Sequence, residues 1–168
     1  MLSTDLGFQV EDDGAPGSSL DLSPNSFRLN YPQTPFQTWA IQNGLPTDPV
    51  ADAGSHLIRF ASGLDPDGSP TGAITVVNSM ISQRGLPTLL PASLPERRDF
   101  GALFGRRKNS GLIYRVQFSA ALSEWETSQA APEILADDGV MEACLDRFPS
   151  TLGNGQLPRF FRVSVSGP

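Results

Sequence analysis

The chain has 168 residues, a net charge of −6 and only 18% charged residues, with a pI near 4.6. That length holds one ordinary core or two small ones joined by a linker, and the acidic balance argues against gripping a nucleic-acid backbone, which needs a basic surface. The 16 glycines and 15 prolines disfavour long helices, and a single Cys144 excludes an internal disulfide framework or a multi-cysteine zinc site.

Residues 1–33 are rich in Gly, Ser, Asp, Asn and Pro, and EDDGAPGSSLDLSPN (11–25) reads as a linker or loosely attached arm. The start MLSTDLGFQVEDDG has neither a basic head nor an apolar centre, so it does not read as a signal peptide. A short strand is expected around FRLNY (27–31). In TPFQTWAIQNGLP, Thr34 caps a helix, Pro35 occupies its first position and Gly44 ends it, with Phe36, Trp39 and Ala40 on one face. SHLIRFASGLDP repeats the grammar: Ser55 caps, Leu57, Ile58 and Ala61 form the apolar stripe, and Gly63 stops the helix before Pro66. The unit over 34–66 is helix, twelve-residue loop, helix.

From about 72 onward the period changes. ITVVNSMI (74–81), ALFGRRK (102–108), IYRVQFS (113–119), VMEACLD (140–146) and RFFRVSVS (159–166) read as strands. Tyr114, Val116 and Phe118 alternate with Arg115 and Gln117, and Phe161, Val163 and Val165 alternate with Arg162 and Ser164. This is an antiparallel sheet with one wet face. KNSG (108–111) is expected to turn a hairpin between two of these strands. GLPTLLPASLPERR (85–98) carries three prolines and reads as an edge segment or loop. The basic cluster RRDFGALFGRRK (97–108) reads as a solvated strand edge. The expected fold is mainly β: a small antiparallel, Ig-like β-sandwich over 72–168, preceded by the short helix–loop–helix unit.

The loop DPVADAGSHLIR (48–59) has the length and helix flanks of a calcium loop. Such a loop supplies hard oxygens at alternate positions and closes on a bidentate acid. Asp48 and Asp52 fit that pattern, whereas Val50 replaces a ligand, Ala53 stands where the turn glycine belongs, and Arg59 occupies the place of the closing acid. Two readings stay open beside weak metal binding at Asp48 and Asp52. Either the Arg59 guanidinium stands in for the ion against those carboxylates, or the two aspartates are simply solvated.

FQTWAIQNGLPTDPVADAGSHLIRFASGLDP resembles a module near the C-terminus of large exported proteins in verrucomicrobial and planctomycetal bacteria. There a tryptophan-bearing helix leads into an Asp-rich D-x-D-x-D-G-L-x-N loop and then L-x-E-Y-A-x-G-L-D-P. Trp39, Asp48, Asp52, Leu57, Ala61, Gly63, Leu64, Asp65 and Pro66 fall on that pattern. Phe60 stands for the Tyr, His56 for the Asn and Arg59 for the Glu. FGRRKNSGLIYRVQFSAALSEW and PRFFRVSVSGP continue the match, which covers roughly residues 35–168. The resemblance implies a non-catalytic accessory tail with a loop of dockerin or thrombospondin type. It also implies an extracellular or cell-surface setting; where this chain departs from the pattern, Val50 and Arg59 replace calcium ligands, so no resident cofactor is expected.

Catalytic signatures are sparse. A Ser–His–acid triad would have to run through His56, which has no G-x-S-x-G context, and no phosphate-loop motif occurs. GNG (153–155) reads as a turn, and Asp137 and Asp138 as solvated loop carboxylates. Trp125, with Leu122 in ALSEW, reads as an aromatic platform for a sugar or as a core plug closing the sandwich. The expectation is a structural or interaction module used in attachment, display or assembly, not an enzyme. Its partners are other surface proteins or copies of itself, and the alternative is a carbohydrate-binding module. No run of about 18 apolar residues is present to span a membrane.

Overall fold

The computed structural model describes residues 33–50, 55–68, 72–94 and 97–167, with backbone only at 92–94 and 97–99. All described helices and strands belong to one compact unit beginning at Thr34. The strand expected at FRLNY, the arm before Gln33 and the loop residues Asp52 and Ala53 lie outside the described residues.

Helix α1 (Pro35–Gln42) begins on the expected cap. The Thr34 hydroxyl accepts from the Gln37 amide at 3.2 Å while the Gln37 side chain accepts from the Thr34 amide at 3.0 Å, so two amides left free at a helix start are satisfied reciprocally. Gly44 adopts φ +66°, and Leu45 N donates to the Ala40 carbonyl at 2.9 Å, the wrap-around ending that favours glycine. Helix α2 (Ser55–Ser62) ends the same way, with Gly63 at φ +67° and Leu64 N donating to Arg59 O. Its buried stripe is Leu57, Phe60 and Ala61; Ile58, expected in that stripe, is 46% exposed. Phe60 takes its place because positions three and four beyond Leu57 share its face. Phe36, Trp39 and Phe60 form a ring cluster with centroids 5.4 to 6.1 Å apart, which closes the helix pair.

ITVVNSMI is two strands, not one. β1 (Thr75–Val77) turns through Asn78 and Ser79, both at positive φ, into β2 (Met80–Gln83). Two consecutive left-handed residues make the two-residue turn whose twist suits a hairpin, and the flanking apolar residues hid it in the sequence.

The remaining strands form a sandwich of four strands against three. β3 (Thr88–Leu94), β4 (Arg97–Arg107), β8 (Met141–Arg147) and β7 (Glu133–Asp137) lie in the order β3-β4-β8-β7. β6 (Glu126–Thr127), β5 (Ile113–Ser119) and β9 (Phe160–Ser166) lie in the order β6-β5-β9. Every strand pair is antiparallel. As expected from its prolines, the 85–98 segment supplies the edge strand β3, with Pro91 inside it.

Two expectations for the basic segment change. β4 is not a solvated edge; it lies inside its sheet, paired on both sides. Its charges are accommodated by partners distant in sequence: Arg106 meets Glu142 at 2.7 Å and Lys108 meets Asp137 at 2.5 Å. KNSG does not close a hairpin either, because β4 and β5 belong to opposite sheets. It arches between the layers, with Asn109 at φ +52° and Gly111 at φ +69°. Stacking of Phe104 on Tyr114 across the gap, centroids 6.4 Å apart, rewards that crossing.

The inter-sheet core joins Ala102, Phe104 and Cys144 to Val116 and Phe118, with Phe161 and Val163 packed against them. The other face of the four-stranded sheet is apolar too. Leu103, Ala143 and Leu145 pack under Ile74 and the β1–β2 hairpin. Residues alternate across a strand, so β4 and β8 feed both cores and carry apolar residues at successive positions.

The helix pair is tied to this sandwich by polar groups. The Tyr114 hydroxyl donates to the Ala61 carbonyl and accepts from the Arg107 amide, both at 3.0 Å. Arg107 Nε donates to the Phe60 carbonyl at 2.6 Å, and its guanidinium lies 4.4 Å from the Phe60 ring centroid.

Candidate binding face

In the calcium-type loop, Asp48 Oδ1 accepts from the Val50 amide at 2.9 Å, a local turn contact. Asp52 lies outside the described residues. The Arg59 guanidinium donates to the carbonyls of Asp65 (3.0 Å) and Gly68, so it organises the loop after α2. Among the described residues, no three His, Cys, Asp or Glu side chains gather as a metal-ligating group.

Cys144 is fully buried in the inter-sheet core, and burial pushes its thiol up to about 11. The nucleophilic thiolate is therefore suppressed at neutral pH. His56 stands in the first turn of α2, an element that contributes to a different core from that of Cys144. Asp137 ends β7 and Asp138 opens the turn to β8, and both are engaged rather than merely solvated. Asp138 meets Arg84 at 2.8 Å and accepts from the amides of Val140 and Met141. Burial acts to raise its pKa, but Arg84 and the two amides outweigh that and hold it down to about 2. GNG is a turn as expected, with Gly155 at φ +77°.

Trp125 does not join the sandwich core. It is half-buried just before β6, and Leu122 near it is exposed in a tight turn at φ +65°. The indole faces the wet side of the three-stranded sheet, where the Arg162 guanidinium lies over its ring at 4.4 Å from the centroid. Arg162 Nε donates to Gln117 Oε1 at 2.8 Å, and Gln117 Nε2 donates to Thr127 Oγ1 at 3.1 Å. One ordered row thus crosses all three strands: Thr127 from β6 with Trp125 just before it, Gln117 from β5, Arg162 from β9. The register supports it, since Gln117 stands opposite both Thr127 and Arg162. Arg115 is exposed one pleat along β5, diagonal to Arg162. The alternation in YRVQF and FFRVS placed these residues on the wet face, but nothing local in the sequence joined them to Trp125.

A second feature lay beyond sequence reading. Asp146 is only 3% exposed, and its Oδ1 accepts from the Ser128 hydroxyl at 3.0 Å. Burial raises its pKa against the opposing effect of that hydrogen bond. Nearby, a cleft of about 270 Å³ opens between Phe118, Thr127, Ser128, Arg147 and Leu152.

Fold and face together define a mainly β sandwich with a helix pair on one end and a preorganised aromatic–guanidinium surface. A scan against protein-family models finds no match, and searches of curated proteins and solved structures return none either. No described helix is long and apolar enough to cross a membrane.

Proposed function

We propose that the chain is a non-catalytic interaction module of an exported surface protein, serving attachment, display or assembly through the wet face of its three-stranded sheet. The observation that carries this reading is Trp125, held against Arg162 on a strand-supported surface instead of filling the core. A large aromatic kept partly in solvent and fixed by neighbours suits a contact surface, because little rotamer freedom is left to lose on binding. The same observation favours a carbohydrate-binding reading, in which the indole stacks on a pyranose ring while Gln117 and Thr127 offer hydrogen bonds. A glycan array separates these. Binding by the wild type that is lost in Trp125→Ala, with an unchanged melting temperature, supports the saccharide reading. Defined multimers by sedimentation velocity at micromolar protein, with an array that stays blank, support assembly. Full binding by Trp125→Ala removes this face from either role.

The proposed module takes no resident calcium. Arg59→Ala deletes two charge-assisted bonds to the Asp65 and Gly68 carbonyls and a cation at the C-terminal end of α2. It is expected to cost about 1–2 kcal/mol, discounted for partial exposure. Calcium is expected to leave the melting temperatures of wild type and variant unchanged. A calcium-dependent rise in the wild type would restore the metal reading.

A further inference from the structure

We infer that the Trp125 face binds an acidic polysaccharide, with Arg162 and Arg115 reading uronate carboxylates beside the sugar ring held by Trp125. The inference rests on the saccharide reading above and adds the ligand's charge and chemistry.

The first argument is how the arginines are used. Arg84, Arg106 and Arg147 each have a carboxylate partner at 2.7 to 3.1 Å. Arg59 and Arg107 donate to backbone carbonyls. Arg162 differs from all of these. Among the described residues no carboxylate pairs with it, although its guanidinium is fixed on two sides by the Trp125 ring and Gln117 Oε1. Its Nε is occupied, while among the described residues its two Nη groups have no protein acceptor. That leaves a planar pair of donors held in place, the geometry that matches a carboxylate bidentately. Arg115, exposed on the same face, likewise has no carboxylate partner among the described residues. Glu126, the nearest acid on β6, points away from this row and accepts from the Gly153 amide at 2.6 Å.

The second argument is charge. A chain of net charge −6 would be expected to neutralise exposed arginines. Arg115 and Arg162 stand diagonal on one sheet face without a carboxylate partner among the described residues, so both present positive charge there. The complement of that charge is anionic, and the adjoining indole and amide specify a ring that carries hydroxyls as well as charge. A polyuronate combines these features in a single repeating unit.

The test is affinity electrophoresis through gels containing polygalacturonate, its fully methyl-esterified form, dextran sulfate, or neutral dextran. Wild type, Trp125→Ala, Arg162→Gln and Arg115→Gln are compared, with melting temperatures measured to confirm folding. The expected result is retardation by polygalacturonate, weakened at least roughly tenfold by methyl esterification and by Arg162→Gln. Arg115→Gln is expected to weaken it less, and added salt to weaken it progressively. Equal retardation by esterified and free polymer, lost in Trp125→Ala, would keep the saccharide reading and overturn the acidic one. Equal or stronger retardation by dextran sulfate would reduce the face to unspecific charge attraction and overturn the uronate assignment. Absence of retardation in every gel would overturn the saccharide reading along with this inference.

Discussion

Phe118→Ala is expected to lower stability by about 3–5 kcal/mol, measured as a fall in the urea midpoint of roughly 1–2 M. Phe118 is 2% exposed between the sheets, and its ring meets Phe148 edge-on with centroids 4.7 Å apart. Removing it opens a cavity in the layer shared by Val116, Phe104 and Cys144, in strands fixed by pairing on both sides. Such strands cannot easily collapse inward, so the loss should sit toward the upper part of that range. The cost is a large share of the 5–15 kcal/mol that holds a typical domain folded. Phe160→Ala is the internal control. Phe160 is 38% exposed at the start of β9, while its neighbour Phe161 packs against the core. Its truncation should cost under about 1 kcal/mol. Comparable losses at the two positions would show that the inter-sheet assignment of Phe118 is wrong.

The contrast between Phe160 and Phe161 shows what was legible. Where a strand alternates cleanly, as in IYRVQFS and RFFRVSVS, the period-two pattern fixed both the element and its wet face. Where a helix carries its own cap and stop, as at Thr34 and Gly44, local chemistry fixed both ends. Pairing partners were not legible. KNSG has turn residues that suit a hairpin or an arch, and the choice was made by Phe104 and Tyr114 meeting across the layers. The charges of FGRRK suggested a wet edge, because Glu142 and Asp137 are invisible as partners until β8 and β7 are placed. β6 and β7 were missed since one has two residues and the other carries a bulge. Trp125 could be marked as an aromatic of interest, but its partner Arg162 is 37 positions downstream in sequence, and only the β6-β5-β9 order brings them together.

Tyr114→Phe tests how the helix pair is held to the sandwich, and it is expected to cost about 2–4 kcal/mol at pH 7. The ring is retained, so no cavity forms and the stack on Phe104 survives. The loss is the hydroxyl, which satisfies the carbonyl of fully buried Ala61 and the partly buried Arg107 amide. Each such group left without a partner costs about 1–3 kcal/mol. Arg107 would still bond Phe60 O, so α2 should loosen without detaching, visible as faster amide exchange in Ser55–Ser62 than in β5. The pH dependence gives a second, independent reading. Burial raises the Tyr114 pKa, against the opposing influence of the Arg107 amide, the Ser110 side chain and the two nearby guanidinium groups. A folded-state pKa above the unfolded one means the folded protein holds this proton more tightly. The contribution is therefore complete below the ordinary tyrosine value of about 10 and is lost as pH rises through the folded value. Wild type should then lose stability in alkali faster than Tyr114→Phe, and the gap between them should narrow from pH 7 to pH 11. Equal stability at pH 7, or a gap that widens in alkali, would mean that the hydroxyl does not latch α2 to the sheet.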